Sequence, residues 1–172
     1  MKKIPLRPAG FVQVDDEDYD ILCNHKWLLV VKDKKYISVT RSTKRNNKTV
    51  YLHKEILGAS DDEEVDHADG DTLNCTRINL RRCDHQQNSF NQRRITHTKS
   101  NYKGVTKDKP GWRARIGFNY KRIHLGFYES KEKAAMAYDL AATYLFKEFA
   151  RLNFPDRKEE YLNQLMEVPS DE

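Results

Sequence analysis

Asp66 and His67 stand side by side in Glu64-Val65-Asp66-His67, and Asn79 and Asn88 follow, giving the spacing D-H-x11-N-x8-N. A carboxylate, an imidazole and two amides can hold a divalent cation and activate a water beside it. Asp66 and the amide oxygen of Asn88 would supply two hard oxygen donors. Mg²⁺, or Mn²⁺ in its place, prefers such donors, keeps several waters and completes its shell on phosphate. A zinc site would ask for more His or Cys. His67 is then the candidate general base, because an ordinary imidazole pKa of about 6.5 suits proton abstraction near neutral pH.

Successive residues of a regular strand point to opposite faces. Asp66 and His67 can therefore serve one site only if the strand ends there and the chain turns. Val65 to His67 reads as a strand, Ala68 to Thr76 as a polar loop containing Gly70, and Ile78 to Cys83 as a second strand. Asp84, with Gln87 three residues on, makes a capping-box pattern. It opens a helix that carries Asn88 and runs to about Arg93. Strand, loop, strand and helix make a unit over 59–94. Arg81 either touches phosphate or is a solvated strand residue. His53 reads as packing or contacting backbone rather than binding metal, His85 as exposed, and Cys75 and Cys83 as structural.

The 172-residue chain carries a formal charge of +5, with a pI near 9.0 and a mean hydropathy of −0.89. Its hydrophobic cores must be modest. Residues 93–131 hold eleven Lys or Arg against Asp108 and Glu129 alone, while Asp61, Asp62, Glu63, Glu64, Asp66, Asp69 and Asp71 crowd into 61–71. A basic stretch interleaved with aromatics points to a polyanion, and an acidic cluster to a cation. Either is also the ordinary make-up of a solvated surface. No apolar run approaches the roughly 20 residues of a membrane span, and Met1-Lys2-Lys3-Ile4-Pro5 lacks a secretory stretch. A cytoplasmic protein with no membrane partner is expected. Cys23, Cys75 and Cys83 form no C-x-x-C pair, so free thiols are expected.

An N-terminal unit over 1–58 reads as β-rich and antiparallel, with strands at Phe11–Val14, Trp27–Val31, Tyr36–Thr40 and Thr49–Leu52. It adds a short helix over Asp18–Asn24 and a helical turn from His53 ending at Gly58. Its Arg41, Lys44, Arg45 and Lys48 either track a phosphate backbone or keep a hairpin soluble. A basic linker spans 95–101. A third unit spans 102–155, with three strands (Tyr102–Thr106, Trp112–Phe118, Arg122–Tyr128) and a helix capped by Ser130. An acidic tail follows over 156–172. Strand alternation puts Trp112, Ala114, Ile116 and Phe118 on one face, with Ile123, Leu125 and Phe127, against an Ala-rich helix. Arg113, Arg115, Arg122 and His124 take the other face. The fold class is α+β.

Two families are resembled. V-D-H-x2-G-D, N-C-T-R-I-N-L-R and Q-N-S-F-N, within Tyr51–Asn91, resemble the HNH nucleases of ββα-metal fold, especially the homing endonucleases of phages and bacteria. The resemblance implies that Asp66 and Asn88 bind the metal, that His67 activates the attacking water, and that Asn79 orients His67 and pins the loop. It also implies 5′-phosphate and 3′-hydroxyl products. Asn88 stands where many members have His, which favours Mg²⁺ over zinc or nickel. The 1–58 region is similar to segments preceding this motif in mobile-element proteins. The third unit resembles the plant ethylene-response-factor (APETALA-type) domain through Tyr102-Lys103-Gly104-Val105, the Trp112–Ile116 strand, His124-Leu125-Gly126, Ala134–Ala142 and Leu152-Asn153-Phe154. That domain lays a three-stranded sheet into the DNA major groove. Lys103, Arg115 and Arg122 match its DNA-facing positions by alignment or charge. Thr106, Asp108, Gly117 and His124 depart from it, so its recognition sequence does not carry over.

The expected function is a metal-dependent homing-type endonuclease acting on duplex DNA as a monomer or weak dimer, with an asymmetric target. The alternatives are a non-cleaving DNA-binding regulator and an RNA-directed protein. The sequence points to no aromatic stacking platform on the cationic face, which weighs against RNA.

Overall fold

A computed structural model describes residues 1–32, 36–43, 47–92 and 100–167. Residues 95–99 of the expected linker, Lys44, Arg45 and the chain from 168 onward lie outside the described residues. Helix and strand occur in similar proportions, as an α+β chain should. The chain divides into two units, Met1–Asn88 and Ser89–Glu172.

The first unit begins with β1 (Lys2–Arg7), β2 (Phe11–Val14), α1 (Asp16–Leu22), β3 (Trp27–Lys32), β4 (Tyr36–Ser42), β5 (Thr49–Tyr51) and α2 (Leu52–Leu57). It closes with β6 (Glu64–His67), β7 (Leu80–Cys83) and the start of α3 (His85–Asn91). Five strands form one sheet in the order β2-β1-β3-β4-β5. The sheet is mixed rather than antiparallel, because β1 runs parallel to β3 through Leu6 and Arg7. β1 itself is unexpected from sequence, since Pro5 argues against a strand. Its residues 2–5 pair only with β2, so a residue without an N–H is accommodated there. α1 starts two residues earlier than the sequence suggests, after Asp15 at its N-cap. α2 ends at Gly58, whose φ of 58° is the left-handed cap that glycine adopts without strain.

One hydrophobic core joins the regions that read as separate stretches of sequence. Ile4, Val12, Val14, Trp27, Val39 and Leu52 pack with Val65, Cys75 and Leu80. β2 also reaches the loop between β6 and β7: the Gln13 N–H donates to the Leu73 carbonyl at 2.8 Å, and the Cys75 N–H donates to the Gln13 carbonyl at 2.8 Å. Arg77 adds a staple. Its guanidinium donates to both carboxylate oxygens of the buried Asp18, at 2.9 and 2.6 Å, and its backbone N–H donates to Asp15.

The second unit contains β8 (Val105–Asp108), β9 (Gly111–Phe118), β10 (Lys121–Tyr128), α4 (Lys131–Phe146) and α5 (Lys158–Met166), with short 3-10 turns around Lys147–Phe149 and Pro155–Arg157. The three strands form an antiparallel sheet in the order β10-β9-β8. Val105 and Ala114 pack on Ala134 and Ala135, whose small side chains let helix and sheet approach closely. Ser130 Oγ accepts from the Lys133 N–H at the start of α4. Asp139, fully buried, accepts from the backbone N–H groups of Asn153 and Phe154 and so fixes the returning chain.

Candidate active site and nucleic-acid face

β6 and β7 form a two-stranded ribbon in which Asp66 faces Arg81 and Glu64 faces Cys83. β7 begins at Leu80, so Ile78, 93% exposed, belongs to the loop and not to the strand. Alternation puts Glu64 and Asp66 on one face and Val65 and His67 on the other. β6 ends at His67, and the turn begins at Ala68. The expected capping box opens α3: the Gln87 N–H donates to Asp84 Oδ1 at 2.7 Å, and the Asp84 N–H to Gln87 Oε1 at 2.9 Å.

Asp66 is buried and bound by Arg81, whose Nε and Nη2 donate to Oδ2 at 2.8 and 2.6 Å. Arg81 therefore lies on the predicted metal ligand. Asn88 Nδ2 donates to Glu64 Oε2 at 2.6 Å, so its Oδ1 is the end that could ligate a cation. Glu64 also meets His85 Nδ1 at 2.8 Å, and the hydrogen bond from Asn88 holds its carboxyl below the usual range. Sequence reasoning missed Glu64. The available signal was its place two residues before Asp66, on the same strand face.

Asn79 is buried and ties down the loop. Its Nδ2 donates to Asp69 Oδ1 at 3.0 Å and to the Asn74 carbonyl at 2.7 Å, while its Oδ1 accepts from the Asp69 N–H at 3.0 Å. Its carbonyl accepts from the Ala68 N–H, directly after His67. His67 is buried, with Nε2 3.6 Å from Cys75 Sγ and its ring edge-on to His53 at 5.3 Å. Burial lowers the His67 pKa, against the opposing pull of Asp66, Asp69 and Asp71. His53 is lowered further, to about 4, by burial and then by His67 and Lys54. Burial pushes the Cys75 thiol up to about 12, so it stays protonated.

This donor set fits a hard cation. Glu64, Asp66 and Asn88 offer carboxylate and amide oxygens, and the Cys83 thiol opposite Glu64 stays protonated, pushed up to about 12 by burial. Among the described residues, no group of three or more His, Cys, Asp or Glu gathers to hold a metal. A cation here would take the rest of its shell from water and phosphate, as Mg²⁺ does.

In the second unit, Arg113 and Arg115 of β9 share a face with Arg122 and His124 of β10. Phe127 departs from the expected alternation. The pairing slips between His124 and Gly126, a β-bulge with Gly126 at φ 127°. Leu125 still packs toward α4, but Phe127 emerges opposite Arg113 and is 62% exposed. The cationic face therefore carries an aromatic pair, Phe127 and His124, with ring centroids 4.8 Å apart. This removes the sequence-based argument against RNA. A glycine inside a strand was the available signal for the bulge. Lys103 lies before β8, not on a strand, and its ammonium donates to the Phe90 carbonyl. Arg113 pairs with Asp108.

Both resemblances have counterparts among known proteins. An uncharacterized HNH endonuclease of Acanthamoeba polyphaga mimivirus is 41% identical over 90 residues, 52% of this chain and 46% of that protein. An AP2-like ethylene-responsive transcription factor of Arabidopsis thaliana is 34% identical over 84 residues, 41% of this chain and 24% of that protein. Another ethylene-responsive transcription factor of the same plant is 47% identical over 60 residues, 33% of this chain and 32% of that protein. The chain thus has relatives of the HNH endonuclease kind and of the ethylene-responsive kind. It spans less than half the length of each of these three. No protein-family model matches it, and no solved structure does. No helix among the described residues is long and apolar enough to cross a membrane.

Proposed function

We propose that this chain is a metal-dependent HNH endonuclease of homing type that binds duplex DNA through the β8–β10 sheet and cuts with the β6–β7–α3 centre. The observation that carries this reading is the β6–β7–α3 frame itself. It buries Asp66, His67 and Asn79 where β6 and β7 meet the loop between them, and uses a capped helix to hold Asn88 on the Glu64 side of the ribbon. The two kinds of relative support a cutting centre and a DNA-binding module in one chain.

In this mechanism His67, kept neutral by burial, takes the proton from the attacking water. Asn79 holds the loop that follows His67 and so fixes the direction of the imidazole. Asp66 and Asn88 would hold Mg²⁺, or Mn²⁺, and Glu64 orients Asn88. A bound cation would supply charge stabilisation at the phosphate and the leaving oxygen. Arg81 neutralises Asp66 when the cation is absent. Arg113, Arg115, Arg122 and His124 contact DNA, with Lys103 near the sheet edge. The products carry 5′-phosphate and 3′-hydroxyl ends. One centre and one DNA module per chain suit an asymmetric site, where a monomer gives a nick and a double-strand break needs a dimer or a second event. The functional division follows 1–58, 59–94 and 102–155, joined by 95–101, with 156–172 as a tail.

A plasmid-nicking assay tests this. Wild type should nick with Mg²⁺, and His67→Ala should lose about 10²- to 10⁴-fold in rate while still binding DNA. DNA binding by wild type without Mg²⁺-dependent nicking would establish the alternative, a non-cleaving regulator.

A further inference from the structure

We propose that Phe127 is a base-reading residue. It contacts the 5-methyl group of a thymine, while Arg113, stacked on its ring, donates to the neighbouring base edge. The inference rests on the reading of the β8–β10 sheet as a duplex-DNA surface and names what that surface recognises.

Regular alternation would have turned Phe127 inward with Ile123. Instead His124 pairs with Arg115, Gly126 pairs with Ala114, and Leu125 is the extra residue between them. After this bulge Phe127 stands opposite Arg113, and Tyr128 stands opposite Trp112 and packs with the core. A backbone conformation reserved for glycine is thus used to bring a large apolar ring onto the charged face. The Arg113 guanidinium lies 5.0 Å from the Phe127 centroid. The His124 ring stands at 64° to it, 4.8 Å away. Arg113 is further restrained by Asp108. Phe127 is therefore a held side chain, with Arg115 and Arg122 on the same face.

The chemistry of this cluster matches the major groove. Thymine presents the one methyl group among the base edges there, and guanine presents the two acceptors an Arg fork matches. Apolar carbon beside a forked donor is the complement of that pair. A platform for unstacked bases needs open ring faces, and Arg113 lies over one face of Phe127. Duplex is therefore favoured over single-stranded DNA or RNA.

The test uses the full chain. A duplex site is selected from a random library, and each thymine in the sheet's footprint is replaced singly by deoxyuridine, which removes only the methyl group. One replacement should weaken wild-type binding about fourfold, the worth of one buried methyl group. Phe127→Ala should weaken binding to the thymine site and bind thymine and uracil sites equally, whereas Phe127→Leu should keep part of the preference. Circular dichroism checks that both variants are folded. A site with no methyl-sensitive thymine, or a Phe127→Ala variant that keeps the preference, overturns this inference and leaves the DNA-binding reading standing. Tighter binding of single-stranded DNA or RNA, lost in Phe127→Ala, replaces it with a stacking role. Failure to bind any duplex overturns the DNA-binding reading as well.

Discussion

At the scale of the residue, the centre is governed by burial of groups whose charge must then be managed. His67 and His53 meet edge to face, and burial lowers the pKa of both. A depressed His67 pKa favours the base form at neutral pH. The nicking rate should therefore be flat through neutral pH, with its acid limb below about 6.5, the ordinary imidazole value, and a pH–rate profile checks this. The same shift has a stability consequence. Between about pH 6.5 and pH 4 the unfolded chain binds a proton that folded His53 refuses. Stability should fall as pH drops through that window and not above it. His53→Phe should flatten this slope in urea unfolding at pH 7 and pH 5. The cation can be followed without cleavage. Mg²⁺ should raise the melting temperature of wild type, and Asp66→Ala should abolish the shift. Glu64→Ala should weaken Mg²⁺ about 10- to 100-fold, as loss of an orienting partner does.

At the scale of the element, single residues decide what whole strands and helices present. Gly126 is the clearest case. At φ 127° a side chain is strained, and a Cβ there would approach the Tyr128 ring at 3.1 to 3.3 Å. Gly126→Ala should lower stability by about 1–3 kcal/mol and shift the Phe127 amide signals, read by denaturant unfolding and NMR. The helix caps were legible because they are local. Asp84 with Gln87, Ser130 and Gly58 each act within four residues, and each caps its helix as the local sequence suggests. β1 was not legible, because Pro5 speaks against a strand and only the parallel partner β3 and the hairpin partner β2 stabilise one there.

At the scale of the whole molecule, the N-terminal strands and the ribbon share one core, and this gives the N-terminal region a role that composition did not suggest. β2 and α1 brace the loop that follows His67 through Gln13 and through the Arg77–Asp18 pair. Arg77→Ala would leave Asp18 buried without its partner. It should lower stability by about 1–3 kcal/mol and slow nicking more than DNA binding, measured by urea unfolding and by parallel binding and cleavage assays. For the DNA face, Arg115→Ala should reduce the log–log salt slope of binding by about 0.9 if Arg115 meets one phosphate. The sequence alone determined the residue types, the α+β class, the caps and the cationic alternation of β9, because these follow from local periodicity and short-range hydrogen bonding. Only the tertiary structure decided that Arg81 would sit on Asp66, that Glu64 would aim Asn88, and that Phe127 would leave the core. Each depends on which strand lies alongside and in what register, and a slip of one residue changes the face of every side chain beyond it.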